Sequence, residues 1–228
     1  MSATQVPVGE GTRLFEQLLA VHGVMTRGAG LVAHSFTRLA GGSAVDTKTL
    51  VSTVQWLVDS LRHHHLSEEE LLWPVLRERF RERVRRLDRL SEQNEALEKE
   101  LDELESVIGR IAEERRVGGS VGWGHAMKEG TRASHRIRDL LAGRLAVEEP
   151  LLRGLFPAVS DEDVVRLRRA VTECVPRGGP HLVVGFLEHP EPVSGRDHVY
   201  AGLPPSVRWT RGVLLSRFRT TLRALAAC

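Results

Sequence analysis

Four stretches of this 228-residue chain repeat apolar residues at three- and four-residue intervals, over spans of 24 to 35 residues. That period is the signature of a helix burying one face, and four such faces can bury one another. From Thr12 to Arg38 the stripe runs through Phe15, Leu18, Met25, Ala29, Val32 and Phe36, and the Gly-Gly-Ser at 41–43 stops it. A second helix is predicted over Asp46 to Phe80 on Val54, Leu57, Leu61, Leu71 and Val75. A third is predicted over Arg83 to Arg115 on Leu87, Leu90, Leu97, Leu101, Leu104, Ile108 and Ile111. Val117 to Gly130 holds five glycines and reads as a long connection. The fourth helix is predicted over Arg132 to Leu155 on Ile137, Leu141, Leu151 and Leu155, with a kink expected at Pro150.

Antiparallel up-down packing of four such helices is the economical fold, so the chain reads as all-α. Residues 11–158 would form the bundle, behind a patternless tail at 1–10. Residues 159–228 would form an extension packed on the bundle. It comprises a short helix (Asp161 to Glu173), a Pro/Gly-rich loop (Pro176 to Pro205) and a last amphipathic helix (Val207 to Ala226).

Basic and acidic side chains number 32 and 30, so the net charge of +2 gives no ground for a nucleic-acid partner. Cys174 and Cys228 are too few for a disulfide scaffold. No apolar run has the length of a membrane span and no secretory leader is visible, so a cytoplasmic protein without a membrane partner is expected. Seven arginines between Arg77 and Arg89, and the acids from Glu92 to Glu105, read as solvated helix faces.

The informative residues break the stripes. On the second helix the series 54, 57, 61, 64, 68, 71, 75 reads Val, Leu, Leu, His, Glu, Leu, Val, which turns His64 and Glu68 into the bundle. His22 interrupts the first stripe between Leu18 and Met25. Asn94 interrupts the third, and Arg144 with Glu148 the fourth. Buried charge at this density costs several kcal/mol per ion unless it is paired or binds a metal. His63, His65, Glu69 and Glu70 lie off the stripe and read as exposed or supporting residues, with His65 and Glu69 the inward pair if the register is one residue out.

The stretch from His64 through Glu68 and Glu69 to Trp73-Pro74 resembles the H-H-x-x-E-E-x-x-L-[FW]-P signature of hemerythrin-like (HHE cation-binding) proteins. Leu145-Ala146-Val147-Glu148-Glu149, followed by Pro157, is similar to the fourth helix of that family. The resemblance implies a bridged di-iron centre inside a four-helix bundle, handling oxygen, nitric oxide, peroxide or iron. Carried over by position, it makes His22, His64, Glu68 and Glu148 metal ligands. Asn94 and Arg144 stand where the family pattern has histidines.

Both departures fall on the ligands the resemblance gives to one of the two irons, and Arg144 adds a permanent positive charge there. What remains is close to the two-histidine, one-carboxylate set that suits mononuclear Fe(II) with open positions. The resulting expectation is a non-heme iron oxidoreductase activating O2 to oxidise a small molecule, with Arg144 and Asn94 free to orient an anionic substrate or a bound oxygen species. Two other states stay open. One is metal-free, with Arg144 paired to Glu148 and Glu68 and Asn94 bonded to His64 in a satisfied network, or with His64, Glu68 and Arg144 serving acid–base chemistry or ligand binding, and the other is a di-iron sensor of O2, nitric oxide or redox state.

Overall fold

The computed structural model describes residues 9–85, 90–117 and 122–225, with the side chains of 90–92 and 114–117 left aside. The chain is all-α: α1 (Glu10–Ala40), α2 (Thr47–Ser67), α3 (Trp73–Val84), α4 (Leu90–Val117) and α5 (Gly122–Leu155) precede five further helices among the described residues. Those are α6 (Asp161–Glu173), α7 (Pro180–Glu188), α8 (Arg196–Gly202), α9 (Pro205–Trp209) and α10 (Arg211–Ala224). The second arm of the bundle is α2 continued into α3. Neighbours meet in the order α1, α2, α4, α5 and back to α1, which closes a four-helix bundle.

Local chemistry sets the ends. Asp46 caps α2 by accepting the Thr49 N–H at 2.7 Å, and Ser160 caps α6. Gly42, at φ +81°, turns the chain out of α1 in a conformation that other residues resist. The Gly-rich connection expected at 117–130 is helical wherever it is described. Gly122 to Gly130 form the first turns of α5, because Ala126 and Met127 reach the core and Gly130 lets Phe36 lie against the backbone. Trp123 and His125 are therefore helical residues, whereas 118–121 lie outside the described residues, as do the expected tail residues 1–8, Leu87 and Cys228. Pro150 sits within α5, which continues to Leu155.

The second arm is not one uninterrupted α-helix. Glu68 to Leu72 form a π-helical turn in which the Trp73 N–H bonds the Glu68 carbonyl, five residues back. Pro74, with no N–H, breaks the ordinary ladder just beyond, and the wider turn absorbs the interruption. The extra residue shifts the inward face: Leu72, Trp73, Val75 and Leu76 are buried, while the expected Leu71 is only partly so.

The Pro/Gly-rich stretch expected as a loop carries two helices. Burial explains α7, whose Leu182, Val183, Val184, Phe186 and Leu187 leave the water together. Phe186 is stacked on Trp56 of α2 and meets Phe218 of α10 edge-on at 5.1 Å. The last helix thus rests on α7, and α7 and α8 rest on α1. Trp209 and Val213 remain exposed on the outer face.

Two apolar clusters result. One fills the bundle from Phe36 and Leu50 to Leu61, Val21 and Leu141. The other gathers Leu18, Leu72, Leu152, Phe156 and Cys174 at the end covered by α6. Between them lies a polar layer.

Candidate metal centre

Each long arm contributes to that layer at the break in its stripe. His22 comes from α1, His64 from the last turn of α2, Glu68 from the first position of the π turn, and Arg144 and Glu148 from α5. All five are buried, Glu68 and Glu148 completely, and half-buried Asn94 of α4 reaches the same group. The six residues singled out by the stripes therefore meet in one place. His64 and Glu68, rather than His65 and Glu69, face inward, and Glu69 is exposed.

The two carboxylates divide their oxygens between two neighbours. Glu148 Oε2 accepts from Arg144 Nε at 3.0 Å, and Glu68 Oε2 accepts from Arg144 Nη2. Arg144 Nη1 donates to Asn94 Oδ1 at 2.6 Å. The guanidinium is thus engaged by protein groups on all three nitrogens: it pairs with Glu148 and Glu68, and Asn94 meets it rather than His64. A flat fork between two carboxylates and an amide satisfies itself internally.

The other oxygens turn toward the imidazoles. His22 Nε2 lies 3.8 Å from Glu68 Oε1 and 3.7 Å from Glu148 Oε1, and His64 Nε2 lies 3.0 Å from Glu68 Oε1. The two rings stand edge to face with centroids 5.2 Å apart. His22 Nε2, Glu68 Oε1 and Glu148 Oε1 are buried and make no hydrogen bond among the described residues. Orphaned polar atoms of this kind are costly in a core. Ligand atoms of His22, His64 and Glu68 fall within 4.8 Å of one another, a grouping that fits a metal ion.

Glu149, which the stripe reading missed, completes the set. Its Oε1 lies 3.0 Å from His22 Nδ1. A carboxylate only accepts, so Nδ1 carries the proton and Nε2 is left to face the pocket. The adjacent glutamates at 148 and 149 were the available signal: residues 100° apart on a helix can meet both the bundle axis and the neighbouring helix. His65 was also misread as peripheral. It is buried against α4, 3.8 Å from Glu98, and its ring nitrogens have no hydrogen-bond partner among the described residues.

The electrostatics follow from burial and pairing. Burial alone would lower the His22 pKa, but the bond to Glu149 and the charges of Glu68 and Glu148 outweigh it and raise the ring to about 9. Burial lowers His64, and lowers His65 to about 4. Burial opposes ionisation of Glu68, yet His64 and Arg144 hold it well below the usual range. Burial and repulsion from Glu68 push Glu148 up to about 7.

A pH dependence follows for the metal-free protein. The His22 proton stabilises the fold in full below 6.5, and that contribution is lost as pH rises through about 9. The lowered rings of His64 and His65 act oppositely but only below 6.5. Between pH 7 and 9 the unfolding free energy of chelator-treated protein is therefore expected to fall, by about 1.4 kcal/mol per pH unit for the His22 proton, with Glu148, pushed up to about 7, steepening the fall near pH 7. Urea midpoints at pH 7, 8 and 9 measure it, and His22→Gln should flatten the slope. A rising midpoint would overturn the assignment.

A buried pair of histidines with carboxylates at the centre of a helical bundle defines a metal-binding bundle protein. The chain belongs to the hemerythrin family: the model of the Hemerythrin HHE cation binding domain matches residues 13–159. No curated protein and no solved structure matches it. Among the described residues no helix is long and apolar enough to cross a membrane.

Proposed function

We propose that this protein holds a single iron ion on His22, His64, Glu68 and Glu148 and uses it to activate O2 for the oxidation of a small molecule. The observation that carries the reading is the division of the carboxylate oxygens. Both Oε2 atoms are taken by Arg144, while both Oε1 atoms and His22 Nε2 are buried without hydrogen bonds. In this reading the guanidinium takes the place of a second metal.

Charge supports the same count. With His22 and Glu148 having released their protons to receive an ion, Glu68, Glu148 and Glu149 would supply three negative charges within this cluster. One divalent ion and Arg144 balance them, whereas a second ion would leave two positive charges uncompensated in a buried site.

Ferrous iron held by His22, His64, Glu68 and Glu148 would supply redox chemistry toward dioxygen. The chain's own residues prepare the site. Glu149 orients His22 through Nδ1, and Arg144 fixes Glu68 and Glu148 so that each presents one oxygen. The apolar clusters on either side exclude water. The closed network of Arg144, Asn94, Glu68 and Glu148 also suits a second reading, a metal-free pocket in which His64 and Glu68 exchange a proton with a ligand.

Elemental analysis after anaerobic Fe(II) loading, with optical spectra before and after oxygen, tests the proposal. One iron per chain without the bands of a bridged pair is expected. Two irons would overturn it in favour of a di-iron protein, and none would leave the metal-free pocket.

A further inference from the structure

A cleft of about 490 Å3 runs between α1 and α5 and ends on His22 and Glu149. Leu19, Leu145 and Ala146 give it an apolar wall, and Val193 with Ser194, from the segment between α7 and α8, form its outer rim. The segment between α7 and α8 thus reaches the edge of the metal centre.

The rim is built in advance. Arg27 Nη1 donates to the carbonyls of Phe186, His189 and Glu191, each at 2.8 Å, and so clamps the segment to α1. Gly195, at φ +77°, lies so close to α1 that a Cβ would fall 2.1 Å from the Glu16 carbonyl oxygen. Val193 itself rests where α1 has no side chain, since a Cβ on Gly23 would lie 3.1 Å from Val193 Cγ1. A rim held this way costs little ordering when a ligand arrives.

We propose that this cleft binds the substrate and is its port to the centre. The substrate is a small uncharged organic molecule with an apolar body and one hydrogen-bonding group, and Val193 sets the size admitted. The inference rests on the reading of the centre as one that oxidises a small molecule. The volume suits such a ligand, and the apolar wall recognises its body. Arg27 is engaged by three carbonyls and Glu149 by His22, so neither offers a free counter-charge to an ionic ligand. Glu149 forms the solvent side of the inner wall: its side chain is 32% exposed, whereas that of its partner His22 is 1% exposed.

A second groove, of about 690 Å3, runs along α4 and ends on Asn94. It is lined by Glu95, Glu98, Asp102 and Glu103, and behind Asn94 lies Arg144 rather than the imidazoles. Every side chain that lines it is polar or charged.

The test uses chelator-treated full-length protein, so that it does not depend on the metal. Ligand-observed NMR with phenol and benzyl alcohol as neutral probes, and benzoate and benzylamine as charged ones, is expected to show binding of the neutral pair. Val193→Trp and Ala146→Trp, from opposite walls, should each weaken binding at least about tenfold, while Glu98→Ala in the α4 groove should leave it unchanged. Ala146 is exposed, so its variant reports even where Val193→Trp fails to fold. Absence of neutral-probe binding at millimolar concentration, preference for a charged probe, or binding that survives tryptophan at position 146 would each overturn the proposal. Iron stoichiometry is read separately. One iron with no probe binding removes the port and keeps the centre, and probe binding with no iron does the reverse.

Discussion

Glu68→Ala is expected to cost the metal-free protein about 3 kcal/mol and to abolish tight binding of a divalent ion. Glu68 is completely buried, with one oxygen on Arg144 and the other facing His22 and His64. Removing one partner of a buried ion pair strands the other, a loss of about 3–5 kcal/mol. The lower figure applies because Arg144 keeps Glu148, whose ionisation Glu68 now opposes by repulsion. Adding Arg144→Met should recover much of the loss, since an unpaired guanidinium is then no longer buried. Urea unfolding in chelator gives the stabilities of the four proteins in the cycle, and a Co(II) titration gives the binding. A single variant within 1 kcal/mol of the parent would show that Glu68 is not the main counter-charge of Arg144.

The joint substitution Arg144→His and Asn94→His is expected to raise the capacity from one divalent ion per chain to two. Arg144 touches Glu68 Oε2, Glu148 Oε2 and Asn94 Oδ1 at once, so its removal frees both outer carboxylate oxygens and a fixed positive charge in one step. Histidine at both positions then supplies nitrogen donors beside those oxygens. Asn94→His alone should leave the count at one, because the guanidinium still occupies the space. Elemental analysis after anaerobic Fe(II) loading measures the result. A count that stays at one in the double variant would mean that Arg144 does not stand in for a metal.

Much of this centre was legible in the chain because a polar residue on an apolar stripe has few physical excuses. His22, His64, Glu68, Arg144 and Glu148 each broke a helical period, and that period alone placed them in one layer. The period fails where the helix does. The π turn advances the face by one residue, so burial passes from Leu71 to Leu72, and no count of three or four foresees it. Glu149 and His65 lie off the stripes, and their roles depend on which neighbour stands beside them. Composition also misled at Gly122–Gly130 and around α7, where contacts with Phe36, Trp56 and Phe218 override the weak helix propensity of glycine and proline. That Asn94 meets Arg144 could be seen only once three helices were in place around the guanidinium.

The guanidinium also bears on the order of events in the life of the chain. Many metal sites leave their carboxylates repelling one another until the ion arrives, so that assembly waits for the cargo. Here Arg144 draws Glu68 and Glu148 together from within the polypeptide. On the proposed reading the bundle would mature as an empty vessel, and metal would enter afterwards without refolding.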